Sequence, residues 1–244
     1  MKIEIAVQTH FFQQRLCWML SSIRQQILPD DLELSVSVAY IPGLGTPTTE
    51  AVTGLFKALG MKINDCTYPD QSEFQYRGWT RNRQLDECEA DWIVYADTDM
   101  VYPPSFFAKT AEKLKNEYKD NPHCLYSRRF STTLPETKEL MGKYSYPCIV
   151  RQAHAYATRL PGKLKGNVGA GYFQMANVKL LKENHGYYQI PGKKLDRSWD
   201  RGQKAKSDMH FRKMLGREAI DLPLQIHLQH ERDSDFGEHV EIQR

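Results

Sequence analysis

The chain has 244 residues, 41% of them hydrophobic and 26% charged, the balance of an ordinary globular protein long enough for one substantial core. A formal net charge of +3 is too small to identify a nucleic-acid binder by itself, and no apolar run reaches the length of a membrane span. The five cysteines (Cys17, Cys66, Cys88, Cys124 and Cys148) are odd in number, scattered and without a C-x-x-C, which argues for a reducing compartment and against structural zinc.

Met1-Lys2 leads straight into Ile3-Glu4-Ile5-Ala6-Val7, a strand pattern with no charged-then-apolar leader, so a cytoplasmic location is the expectation. Phe12, Leu16, Met19, Leu20, Ile23 and Ile27 then recur at three- and four-residue steps and predict an amphipathic helix. Leu34 to Tyr40 reads as a second strand. Thr46-Pro47 predicts a cap followed by proline at the first helical position, with Val52, Leu55, Phe56 and Leu59 as the buried stripe and Gly60 as the stop. Lys62 to Tyr68 is a third strand, Trp79 to Ala90 a helix, and Trp92 to Tyr95 a fourth strand. Pro103-Pro104 restarts the chain into a helix through Tyr118. Such alternation predicts an α/β fold: a mixed, mostly parallel central sheet flanked by helices.

The second half is less regular. Residues 119–165 read as loops with short strands, and Gly166 to Gly171 as a glycine-rich turn before the apolar Tyr172-Phe173-Gln174-Met175. From Pro191 to Lys206 the chain is rich in Lys and Arg, the pattern of a solvated loop. Ser207-Asp208 opens a short helix, and Leu222 to His230 closes the ordered pattern. The expectation is one domain over 1–244, with a regular half at 1–118 and an irregular half at 119–244.

The most informative segment is Asp91-Trp92-Ile93-Val94-Tyr95-Ala96-Asp97-Thr98-Asp99. An apolar run ends in two carboxylates one residue apart, which strand alternation would point the same way. Two adjacent anions repel unless a cation lies between them, and hard carboxylate oxygens suit Mg²⁺ or Mn²⁺. Ligands of parallel α/β sheets bind beyond the strands' carboxyl ends, where these residues fall.

Arg81-Asn82 followed by Ala90-Asp91-Trp92-Ile93-Val94-Tyr95-Ala96-Asp97-Thr98-Asp99 resembles the ARN…D-x-D core of GT-A-fold glycosyltransferases, in particular family 2 and its galactosyltransferase-like relatives. Thr80 replaces the usual alanine. The resemblance continues in order through Gly169-Ala170-Gly171-Tyr172-Phe173-Gln174-Met175, similar to a segment lining the sugar site. It goes on through Ser207-Asp208-Met209-His210-Phe211, at the place of a Glu-Asp pair whose Glu is here Ser207. It ends at His230-Glu231-Arg232-Asp233, where many members carry a late metal-binding histidine.

The resemblance implies a nucleotide-sugar donor, a UDP-sugar by preference, bound by the half at 1–118, and transfer with inversion to an acceptor hydroxyl on the side of the half at 119–244. By the same resemblance Asp97, Asp99 and His230 hold Mn²⁺ or Mg²⁺. Arg81 would meet a phosphate through its planar fork, Asn82 would bond the donor, and Gln8, Thr9 and His10 would cradle the base at the end of the first strand. Gly169 and Gly171 would let backbone approach the sugar, and Asp208 would deprotonate the acceptor. Of the neighbouring histidines 227 and 230, position in the family favours His230.

Lys193, Lys194, Arg197, Arg201, Lys204 and Lys206, with Lys163 and Lys165, could form a lid over an anionic acceptor, nucleic acid included. Two other classes stay open. A nucleotidyltransferase acting on a sugar phosphate would share the architecture, although Gln8-Thr9-His10-Phe11 lacks the glycine-rich loop such enzymes carry there. A non-catalytic module binding sugar or nucleic acid would keep the fold without needing all four of Asp97, Asp99, Asp208 and His230.

Overall fold

A computed structural model describes residues 1–45, 47–74, 77–119, 121, 123–143, 163–165, 172–183, 211 and 215–229. The strands are β1 (Lys2–Gln8), β2 (Glu33–Tyr40), β3 (Ile63–Thr67), β4 (Trp92–Ala96), β5 (Met100–Val101), β6 (Cys124–Tyr126), β7 (Arg129–Ser131), β8 (Lys163–Lys165), β9 (Phe173–Asn177), β10 (Arg217–Ala219) and β11 (Gln225–His227). The helices are α1 (Gln13–Arg24), α2 (Thr49–Ala58), α3 (Gln71–Phe74), α4 (Arg77–Glu87), α5 (Phe106–Asn116), α6 (Leu134–Lys143) and α7 (Val178–Glu183).

A seven-stranded sheet runs β10-β6-β9-β4-β1-β2-β3. Its β3-β2-β1-β4 portion is parallel, with Ile5 of β1 opposite Val36 on one side and Val94 on the other. β9 enters antiparallel between β4 and β6, so the expected mixed and mostly parallel sheet is present. Alternation along the strands sorts the core into two layers. Ile3, Ile5, Val7, Trp92 and Val94 pack with Leu16, Met19 and Leu20 of α1, Phe56 of α2, and Phe106 and Phe107 of α5. On the opposite face Ala6, Ile93 and Tyr95 pack with Leu85 of α4, Val178 and Leu181 of α7, and Phe211. Each large apolar side chain so enclosed contributes about 1.5–3 kcal/mol.

A second sheet was not expected: four strands in the order β5-β11-β7-β8. Its strands are two or three residues long, too short for sequence periodicity to reveal them. One face is apolar, where Phe130 and Ile226 meet Trp18, Val101 and Leu140. The alternate residues Arg129, Ser131, Gln225 and His227 occupy the other face, in register as Gln225 opposite Arg129 and His227 opposite Ser131. The two halves expected from sequence interleave, because β6, β9 and β10 join the main sheet while β5 belongs to the small one.

Three local expectations are corrected. The second helix begins after Thr48, whose Oγ1 accepts from Ala51 N at 3.3 Å, so the cap is Thr48 and Pro47 lies outside the helix. Of its expected buried stripe Val52 and Phe56 do face inward, together with Thr49 and Thr53, whereas Leu55 and Leu59 are 40% and 38% exposed. Residues 134–143, read as loop, form α6. Cys17, Cys66, Cys88 and Cys124 are buried free thiols, and no helix among the described residues is long and apolar enough to cross a membrane.

Candidate functional site

The main strand β4 stops at Ala96, and Asp97 to Asp99 turn away from it before β5 begins. The two carboxylates are therefore not alternate residues of one strand. Asp97 is half-buried and Asp99 is 5% exposed, so the turn sends them to different depths. β5 pairs antiparallel with β11, which places His227 opposite Met100, one residue from Asp99. Leu228 N also donates to Asp99 O at 2.8 Å, pinning the end of β11 to the turn.

This packing brings His227 Nε2 to 3.0 Å from Asp99 Oδ2, with 11% and 7% of the two side chains exposed. The other ring nitrogen, Nδ1, lies 3.2 Å from Ser131 Oγ on β7. A neutral ring that donates from Nε2 to the carboxylate accepts at Nδ1 from the serine hydroxyl; the hydroxyl can reverse its role if Nε2 becomes a ligand. Thr132 completes the brace: its Oγ1 lies 3.0 Å from His227 O, which accepts, and 2.7 Å from Thr137 Oγ1, and it accepts from Gln229 N at 3.1 Å. Arg15 of α1 donates to Gln229 O at 3.0 Å; burial pushes its guanidinium down to about 10, against the opposing pull of Asp99. The Tyr102 phenol is fully enclosed, and burial, followed by the charges of Asp97 and Asp99, holds it far above its ordinary value.

The residues expected at the end of β1 lie together beside this turn, because β1 and β4 are adjacent and parallel. Gln8 Nε2 donates to Phe74 O at 2.5 Å, while Gln8 Oε1 and Thr9 Oγ1 are buried with no hydrogen-bond partner among the described residues. The His10 ring packs against Phe11 and Phe74 and faces Gln71 Nε2 at 3.3 Å; burial lowers its basicity. Phe11 follows with φ of +60°, a left-handed conformation that costs a non-glycine residue about 1–2 kcal/mol and turns the chain sharply off the strand. Strain of that kind gathers where a strand end must present side chains to a ligand.

The structure gives Arg81 partners within the protein. It is 3% exposed, its Nη1 donates to Gln174 Oε1 at 3.0 Å, and its guanidinium carbon stands 5.2 Å from the centre of the Tyr95 ring. It holds α4 against the Tyr95–Gln174 pair of β4 and β9, a position inside the protein. Asn82, beside it, is half-buried. Gly169, Gly171, Asp208 and His230 lie outside the described residues, as do Ser207 and the basic stretch 193–206.

Sequence reasoning passed over Ser131, Arg15 and Gln225 and ranked His227 second. A signal for His227 existed: in Gln225-Ile226-His227-Leu228-Gln229 polar and apolar residues alternate strictly, which sets Gln225 and His227 on one face. Gln225 is fully buried and neither of its amide atoms has a partner among the described residues; such a group costs about 1–3 kcal/mol. Among the described residues, no group of three His, Cys, Asp or Glu side chains is assembled that could hold a metal ion alone.

No protein-family model matches the sequence, and no curated protein matches it by sequence. Solved structures do resemble the fold. Staphylococcus aureus TarS, residues 1–349 in complex with UDP-GlcNAc, aligns with a TM-score of 0.60 at 14% identity over 95% of this chain and 59% of that one. The mannosyltransferase PcManGT from Pyrobaculum calidifontis, in complex with GDP-Man and Mn²⁺, aligns with a TM-score of 0.59 at 15% identity over 95% of this chain and 58% of that one. A longer TarS structure is 37% covered, with a TM-score of 0.60 and 15% identity. The chain thus spans between about a third and three-fifths of the length of these structures. It has the GT-A glycosyltransferase fold, with a mainly parallel seven-stranded sheet flanked by helices.

Proposed function

We propose that this protein is a metal-dependent glycosyltransferase that takes a sugar from a nucleotide-sugar donor, a UDP-sugar by preference, and passes it with inversion to an acceptor hydroxyl. The observation that carries the reading is the buried Asp99–His227 contact at the end of the central strand of a GT-A fold. Solved proteins of this fold were captured with UDP, UDP-GlcNAc or GDP-Man, which supports a nucleotide-sugar donor.

The donor set fits a divalent ion that is completed by its substrate. Mg²⁺ and Mn²⁺ sites commonly use one or two carboxylates and leave the remaining positions to water and phosphate. Asp99, Asp97 and an imidazole would supply the protein ligands, and the imidazole favours Mn²⁺ over Mg²⁺. His227 already faces Asp99, whereas the role expected for His230 is kept as a second candidate. When bound, the ion neutralises charge on the departing diphosphate.

The chain's own residues divide the remaining work. Gln8, Thr9 and His10 receive the nucleotide beyond β1, on the side of the turn where β2 and β3 lie. Asn82 bonds the donor, and Arg81 acts on it through Gln174 and β9. Gly169 and Gly171 admit the sugar. Asp208 takes the proton of the acceptor hydroxyl as that oxygen bonds to the anomeric carbon and the bond to the diphosphate breaks. Nucleotidyl transfer has less support, since Gln8-Thr9-His10-Phe11 forms a strained turn with aromatic packing and no glycine-rich phosphate cradle.

Hydrolysis of UDP-, GDP- and dTDP-sugars with and without Mn²⁺, followed by nucleotide release, tests the reading. Turnover of one donor that is lost with EDTA and with Asp99→Asn is the expected result. Turnover untouched by EDTA removes the metal, and pyrophosphate release from a nucleoside triphosphate turns the assignment to nucleotidyl transfer.

A further inference from the structure

The polar face of the small sheet carries two groups without a hydrogen-bond partner among the described residues. The Arg129 guanidinium stands 4.0 Å from the centre of the Tyr172 ring, and it makes no hydrogen bond or ion pair among the described residues; its Nε is buried without a partner. The Tyr172 hydroxyl donates to Ser127 O at 2.9 Å, so the ring is a fixed platform. Gln225, register-paired with Arg129, is fully buried with both amide atoms unpartnered. A stacked guanidinium with no carboxylate among the described residues, next to an amide with no partner among them, has the chemistry of an oxyanion receptor.

Its place in the fold says which oxyanion. β9 pairs antiparallel with β4, with Phe173 opposite Ala96, so Tyr172 and Asp97 are the residues just beyond the same end of that pairing. Arg129 therefore stands beside the Asp97–Asp99 turn, and two register positions before Ser131, the partner of His227. In the main sheet β4 separates β9 from β1, so Arg129 and the Gln8-Thr9-His10 segment lie on opposite sides of the turn. A nucleotide received beyond β1 directs its diphosphate to the turn and leaves the β9 side to the other substrate.

The geometry points to a second oxyanion subsite, formed by Arg129 on its Tyr172 platform and backed by Gln225, that binds a phosphate or carboxylate carried by the acceptor. The acceptor assignment rests on the glycosyl-transfer reading, whereas the oxyanion site itself does not. Arg129 grips the anion through its fork, and Gln225 donates to the anion or to a water that the anion holds. The acceptor class is thereby narrowed to hydroxyl compounds bearing an acidic group near the reacting oxygen.

Inorganic phosphate is the probe, titrated by calorimetry at fixed ionic strength into protein saturated with UDP and Mn²⁺. Wild type is expected to bind phosphate with UDP in place. Arg129→Gln should weaken phosphate at least tenfold, the loss expected of a charge-assisted pair, while UDP affinity stays within about twofold. Gln225→Leu exchanges a buried unpartnered amide for an apolar side chain and should keep or raise the melting temperature. It should still weaken phosphate about threefold or more, a change that a purely structural Gln225 would not give, and it decides the matter if Arg129→Gln does not fold. Equal phosphate affinity in both folded variants overturns the subsite, as does UDP binding with no phosphate binding. Displacement of phosphate by UDP overturns the acceptor assignment, because the arginine then serves the donor. Phosphate binding that needs Arg129 in a protein with no affinity for UDP removes the acceptor assignment together with the glycosyltransferase reading and leaves an oxyanion site alone.

Discussion

Replacing His227 by alanine probes the contact on which the site is built. His227 Nε2 is 3.0 Å from Asp99 Oδ2, and both side chains are nearly enclosed. In the metal-free protein, loss of the ring leaves a buried carboxylate short of a donor, a cost of about 1–3 kcal/mol. For a chain of this size each kcal/mol moves the melting temperature by about 2–4 °C. The larger effect is expected in the loaded protein. Mn²⁺ at about one hundred times its dissociation constant stabilises by about 2.7 kcal/mol, and a hundredfold weaker site at the same concentration by about 0.4 kcal/mol. The difference, about 2.3 kcal/mol, corresponds to about 5–9 °C of the Mn²⁺-induced shift. Thermal denaturation with and without Mn²⁺, in the presence of UDP, measures it directly, with His230→Ala run alongside. If His227→Ala keeps the full Mn²⁺ shift and His230→Ala loses it, His227 only braces Asp99 and the reasoning is refuted.

Three further outcomes test the scaffold. Burial raises the Glu4 carboxyl above its ordinary value, against hydrogen bonds from Cys88, Ser35 and Asn64. A folded value above the unfolded one means that its stability contribution is complete below the unfolded value and is lost as pH rises through the folded one. The melting temperature of Glu4→Gln should therefore gain on wild type between about pH 4 and pH 7, and a flat difference refutes this. Gln84 Nε2 donates to Val7 O and Ser37 O, both at 3.0 Å, and to Ser37 Oγ at 3.1 Å, joining α4 to β1 and β2. Gln84→Leu should cost about 1–3 kcal/mol in urea unfolding, and Gln84→Glu more, because an ionised carboxylate cannot donate to carbonyls; equal or smaller loss for the glutamate variant contradicts the donor role. Gly45 has φ of +85°, and a Cβ there would run into the Gln13 amide, which is held by Leu44 O and Thr49 Oγ1. Gly45→Ala should lower stability by about 1–3 kcal/mol, and an unchanged midpoint would mean that the α1–α2 corner is not tightly set.

The legible parts of the sequence were those with long, uninterrupted periodicity. Ile3 to Val7, Leu34 to Tyr40 and Trp92 to Tyr95 read as strands because apolar residues recur in each at every second position without interruption, and they pair as expected. The helix containing Leu16, Met19, Leu20 and Ile23 read correctly for the same reason, while Ile27, assigned to it by spacing, is 59% exposed beyond its end. Leu55 and Leu59 show where periodicity misleads: their spacing is helical, but no element among the described residues covers that side of α2. Arg81 shows a different limit, because residue type announces a guanidinium without telling whether it faces a phosphate or the inside of the protein.

The sequence by itself determined that two carboxylates close an apolar strand at the carboxyl edge of an α/β sheet, since local pattern and charge suffice for that. Tertiary structure decided what meets them. Asp99 and His227 are 128 positions apart, a separation no sequence period bridges, and they touch only because β5 and β11, strands of two and three residues, pair antiparallel. Ser131, Arg129 and Gln225 join the same face through equally short strands. Pairings that small carry almost no periodic signal, so the polar side of this site becomes visible only when the chain is folded.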